Sequence, residues 1–136
     1  MAVDFSVNYL AVIVAALAAL VIGFVYYGPA GIAYPFQRAL GSTRPQAGRP
    51  GPVEGAIGAV VALVNAWVLA LLSLNLGGSS IADGVMLGIL VWLGFGATLK
   101  AAQVAFEKRS WSWWVVDNVH DVIIQAVMAA IVTVWR

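Results

Sequence analysis

The sequence predicts an all-α integral membrane protein, a four-helix bundle of four transmembrane helices with both termini extracytoplasmic. Three observations predict it. Hydrophobic residues make up 62% of the 136 residues and charged ones only 10%, where an average soluble domain has about 25% charged. A chain of this length cannot hide so much apolar surface from water, so lipid is the expected solvent. Apolar runs at 7–27, 53–74, 82–105 and 113–134 are each long enough to cross ~30 Å of hydrocarbon at ~1.5 Å per residue. Such runs must be helices, because a lone strand cannot satisfy its backbone in lipid. The whole chain, 1–136, is read as one four-span domain.

The first run, YLAVIVAALAALVIGFVYY at 9–27, has no positive segment before it, and Asp4 is the only charged side chain nearby. It is expected to be a retained span and not a secretion signal. Gly28-Pro29 bounds it. The loop 28–52 that follows is rich in Gly and Pro and holds Arg38, Arg44 and Arg49. Its early part, GIAYPFQRAL, is expected to lie along the membrane surface with Tyr34, Phe36 and Leu40 dipping in. Its later part, GSTRPQAGRPGP, is expected to be mobile.

The second run follows Pro50-Gly51-Pro52, which cannot continue a helix from upstream. Lys108 and Arg109 follow the third run, whereas the 75–81 loop has no basic residue. Basic loops stay in the cytoplasm, so the 28–52 loop is placed there and Arg136 is the single counter-vote. Trp111, Trp113 and Trp114 then mark the inner interface and Trp135 the outer one.

Small residues recur at four-residue spacing: Ala11, Ala15, Ala19 and Gly23 in the first run, Gly58, Ala62 and Ala66 in the second, Gly84 and Gly88 in the third. Such stripes let helix backbones approach closely in lipid. They serve packing within the bundle, a contact face for another copy, or both.

The fourth run carries Asp117, Asn118, His120, Asp121 and Gln125 within nine residues. On a wheel of about 100° per residue, Asp121 lies about 40° from Asp117, Gln125 about 80°, Asn118 about 100° and His120 about −60°. The polar groups thus form one stripe. A mid-membrane Asp costs about 2.5–3.5 kcal/mol, while each Val, Ile or Leu returns only about 0.3–0.6. The stripe must therefore face protein or water. Glu54, Lys100 and Gln103 fall at the same depth, the cytoplasmic half. Lys100 is expected to pair with Asp117 or Asp121, with His120 or Glu54 completing the network.

Several chemistries compete for that stripe. A structural network that satisfies itself is one; a proton or cation path is another. Asp117, His120 and Asp121 can face one point, but a metal needs three or four ligands and only Glu54 is near; a lone His gives haem one axial ligand at most. Neither metal nor cofactor is expected. No Cys is present and no Ser-His-Asp spacing stands out, so no enzyme activity is expected either. A net charge of +1 gives no nucleic-acid footprint.

The run ending Tyr27-Gly28-Pro29, Trp92-Leu93-Gly94-Phe95, FEKRSW at 106–111, DNVHDV at 117–122 and the closing Val134-Trp135 resemble the bacterial family known as domain of unknown function 1761. The resemblance spans nearly the whole chain except 38–52, and departs at Tyr26, where that family usually shows Trp. It implies a small four-span protein of the bacterial inner membrane, with Asn118 and His120 matching its fourth-helix motif, and implies no activity. The expected role is a non-enzymatic membrane protein, a homo-oligomer or an accessory subunit of a membrane complex. The alternative is a proton- or cation-linked channel or transporter using Asp117, His120 and Asp121.

Overall fold

The computed structural model describes residues 2–41 and 50–136, and all regular structure among them is helical. Residues 2–8 form no regular element and clip onto the end of a later helix: Asp4 N donates to Asn75 Oδ1 at 2.9 Å, and Asn75 Nδ2 donates back to Asp4 O at 3.0 Å. Phe5 stacks on Trp67 with centroids 6.3 Å apart. Hydrogen bonds from Ser6 hold the Asp4 carboxyl below the usual carboxylate range.

Helix α1 (Tyr9–Tyr27) starts where Asn8 Oδ1 accepts from the Leu10 and Ala11 amides, two residues later than the apolar run begins. After it comes a short α2 (Ala33–Ala39). Phe36 is partly buried and packs against the buried cluster of Tyr26, Ala33 and Val116. Leu40 is exposed. The expected mobile stretch includes 42–49, which lie outside the described residues.

Helix α3 (Pro52–Leu76) opens with Pro at its first position, where no amide is needed, and stops at Gly77, whose φ of 75° is open to glycine at little strain. Ser80 and Asp83 form a reciprocal capping box that starts α4 (Ile81–Val91). A π-helical segment, Trp92–Ala97, joins α4 directly to α5 (Thr98–Glu107). The third span, Ile81–Glu107, is therefore continuous but not uniform. Helix α6 (Trp111–Val134) is capped by Ser110, whose Oγ accepts from Trp113 N at 3.2 Å.

Four spans are long and apolar enough to cross a membrane: Tyr9–Tyr27, Pro52–Leu76, Ile81–Glu107 and Trp111–Val134. Large apolar side chains such as Leu17, Phe24, Val60 and Phe95 point outward, as a lipid solvent requires. Helix α6 is the hub, packed against α1, α3 and α4. Its contact with α1 and α3 is built from small residues. Ala15, Ala19, Ala66 and Ala129 are buried together with Leu69 and Met128, so dispersion between closely approached backbones holds the seam. Ser73 and Thr133 hydroxyls bond each other at 2.8 Å inside it.

The α4–α6 seam is closer still. A methyl added at Gly84 would meet Ala130 Cα at 2.6 Å, and one at Gly88 would collide with the Gln125 carbonyl. Ala15, Ala19, Gly84 and Gly88 are thus used inside the chain. None of these four faces outward, where a second copy would have to meet it.

Candidate functional site

Alternate spans run antiparallel, so the C-terminal part of α1, the start of α3, α5 and the start of α6 share one end of the bundle. The polar groups gather there. Lys100 Nζ donates to Asp117 Oδ2 and to Asp121 Oδ2, one turn apart on α6. Tyr27 Oη donates to the other oxygen of Asp117. His120 Nδ1 lies 3.1 Å from the second oxygen of Asp121. A carboxylate only accepts, so Nδ1 carries a proton there, and Nε2 offers a lone pair in the neutral ring and an N–H in the imidazolium. The imidazole sits against two phenol rings, 4.7 Å from Tyr27 and 5.2 Å from Tyr26 between centroids.

Lys100 reaches α6 because of the π segment. Gly88 faces α6, and on an unbroken α-helix Lys100, twelve residues later, would lie about 120° around the axis from it. One extra residue in a π turn takes back about 100°. Lys100 is left within about 20° of the Gly88 face. The segment's own backbone groups are used locally: Trp114 Nε1 donates to Ala97 O at 3.1 Å, and Thr98 Oγ1 to Gly94 O at 2.7 Å.

Asn118 stands apart from the charged cluster. It is buried, accepts from Trp92 Nε1 at 2.9 Å and donates to Trp114 O at 2.8 Å. It locks the π segment to α6. Tyr26 Oη similarly donates to Val116 O at 2.6 Å. From the sequence, Trp114 reads as a belt aromatic and Tyr27 as the end of a span; the structure gives Trp92, Trp114, Tyr26 and Tyr27 each a hydrogen-bonded position. The signal was present in one form only, as paired aromatics one helical end away from a polar stripe.

A cavity of about 910 Å³ opens between α1, α3, α6 and Lys100. Glu54 and Pro50 lie on its lining at the loop end, and Asn65 and Met128 line it near mid-span, about 16 Å further along α3. Gly23, Gly55 and Gly58 keep it wide: a methyl at Gly55 or Gly58 would meet nothing within 4 Å. Lys100, Asp121, His120 and Gln125 face it. His120 Nε2 and Gln125 Oε1 are buried and have no hydrogen-bond partner among the described residues. Glu54 lines the cavity but makes no ion pair with Lys100, and Gln103 is exposed outside the cluster. Beyond Asn65 the seam closes on alanines.

Chemically this is one ammonium between two carboxylates, with an imidazole relayed to one of them. No group of three His, Cys, Asp or Glu side chains among the described residues is arranged to hold a metal. The point on which Asp117 and Asp121 converge is filled by Lys100.

The family described as "Protein of unknown function (DUF1761)" has a model that matches residues 10–133. The chain belongs to that family. No curated protein and no solved structure matches it. In this DUF1761 chain the motif residues are scattered over three spans yet meet at one end. Tyr27 bonds Asp117, Trp92 bonds Asn118, and His120 packs against both the Tyr26 and Tyr27 rings.

Proposed function

We propose that this DUF1761 chain is a non-enzymatic, multi-pass protein of the bacterial inner membrane that admits a proton or cation into a one-sided intramembrane cavity, as part of a channel or transporter. The observation that carries the reading is the placement of the Lys100–Asp117–Asp121 cluster beside a cavity that reaches mid-span. Ionisable groups in a membrane interior are costly unless they serve a pathway or lock the fold. A purely structural triad has no need of a cavity beside it, nor of unpartnered acceptors on the cavity wall. The distribution of Arg38, Arg44, Arg49, Lys108 and Arg109 supports a cytoplasmic mouth and extracytoplasmic termini.

Purified protein in liposomes that enclose a pH-sensitive dye tests it. Proton flux above that of empty liposomes is expected when a cation gradient is imposed, and Asp121→Asn removes it. Flux equal to that of empty liposomes defeats the proposal.

A second reading, a homo-oligomer or accessory subunit, is favoured by the third span. It packs on α6 and little else, and Leu90, Leu93, Phe95, Leu99 and Phe106 point away from the bundle. Cross-linking in native membranes separates self-assembly from a foreign partner.

A further inference from the structure

The hydrogen-bonding character of the cavity names a ligand class. Two polar atoms buried on its wall have no hydrogen-bond partner among the described residues: Gln125 Oε1, an acceptor, and His120 Nε2, an acceptor in the neutral ring whose Nδ1–H goes to Asp121. The charged groups around the cavity are Lys100 from α5, Asp117 and Asp121 from α6, and Glu54 from α3. Among the described residues, one ammonium against three carboxylates is an excess of negative charge. Lys100 is the only cation there among the described residues, and both carboxylates of α6 already hold it. An anion would meet the carboxylates of Glu54 and Asp121 and an ammonium that Asp117 and Asp121 already hold. A buried acceptor left without a donor is costly, so a ligand that brings N–H groups gains twice, once by charge and once by hydrogen bonding.

The rest of the lining is apolar or aromatic. Leu20, Phe24, Val61, Ile124 and Met128 are among the lining residues, the first three also exposed on the outside of the bundle, and the Tyr27 ring lies beside Asp117. About 910 Å³ is far more than an alkali cation needs and falls in the range of pockets for drug-sized molecules. A cation with an apolar body can place the body toward Met128 and its charge beside Asp121, Gln125 and the Tyr27 ring face.

We propose that the cavity binds an organic ammonium ion, a protonated amine carrying an apolar or aromatic group, with Asp121, His120 Nε2 and Gln125 Oε1 taking its N–H hydrogens. This deepens the transport reading above and rests on the same cavity.

The test uses the full chain in detergent at pH 7, titrated calorimetrically with 2-phenylethylamine, which is protonated there. Its trimethylammonium counterpart keeps the charge and loses the N–H donors. 2-Phenylethanol and 3-phenylpropionate remove or reverse the charge. The amine is expected to bind about tenfold tighter than the trimethylammonium ion or the alcohol, and the carboxylate not to bind. Gln125→Leu and Asp121→Asn each weaken the amine about tenfold. If Asp121→Asn fails to fold, Gln125→Leu and the ligand series on the native chain still decide. Equal binding of the alcohol or the carboxylate, no binding of the amine, unchanged affinity in Gln125→Leu, or displacement of the amine by sodium overturns the proposal. Amine binding without proton flux in liposomes leaves the ligand class standing and removes the transport reading. Flux without amine binding does the reverse.

Discussion

Lys100 Nζ lies 2.5 Å from Asp121 Oδ2, and the same ammonium also bonds Asp117 one turn earlier on α6. One cation therefore answers two carboxylates, and the three side chains are all about three-quarters buried. Removing the cation leaves two like charges in a medium that solvates neither. Removing one carboxylate leaves a matched pair. Lys100→Met is thus expected to destabilise the folded chain by about 3–5 kcal/mol, the range for breaking a buried ion pair. Asp117→Asn should cost far less, about 1–2 kcal/mol. Melting of the two variants in the same detergent checks the order, and an Asp117→Asn loss as large as that of Lys100→Met would show that the triad is not held by charge.

The π segment sets which way Lys100 points. Deleting Gly94 removes the extra residue and lets Trp92–Ala97 become ordinary α-helix, and Lys100, then eleven residues after Gly88, stays within about 20° of the side that faces α6. Gly94 suits the deletion because a side chain there would touch nothing within 4 Å. The expected result is a chain that keeps most of its stability, in which Lys100→Met still costs about what it costs in the native chain. A Lys100→Met loss that vanishes in the shortened chain would mean that the deletion turns the lysine away from α6.

Backbone contact along the α4–α6 seam leaves no room for a methyl at Gly88, which would strike the Gln125 carbonyl. Gly88→Ala must push the helices apart and is expected to cost about 1–3 kcal/mol, although alanine is the better helix former by about 1 kcal/mol. Gly55→Ala, where nothing lies within 4 Å, is the matched control and should leave melting unchanged or slightly higher. Equal melting of the two variants would contradict the close approach.

The four spans were legible because lipid leaves a coarse mark: twenty apolar residues in a row admit one structure. The helix ends fell within a few residues of expectation, since Gly28-Pro29, Pro52 and Gly77 punctuate the chain. The polar stripe of α6 was legible for the same reason, as carboxylates that hydrocarbon rejects. The π segment was not. One inserted residue changes neither composition nor hydropathy, yet it turns everything downstream, and wheel arguments carried across Trp92–Ala97 misplace Lys100. The aromatic hydrogen bonds were hidden as well. Tyr27 reads only as the end of a span and Trp92 only as part of a motif, because a sequence does not say which polar atom lies opposite an aromatic N–H or O–H on another helix.

Gly58 offers a way to close the cavity without touching a charge. It lines the cavity on α3, and a Cβ there would meet nothing within 4 Å. Gly58→Leu places a branched side chain in the space between α1 and α6. It also replaces a residue that weakens helices by about 1 kcal/mol with a good helix former. Melting is therefore expected to hold or rise. Proton flux in liposomes is expected to fall about tenfold, a barrier increase of about 1.4 kcal/mol, because the route to Asp121 is narrowed. Unchanged flux in a chain of unchanged stability would show that ions do not travel through this cavity, and would leave the Lys100 triad with a structural role alone.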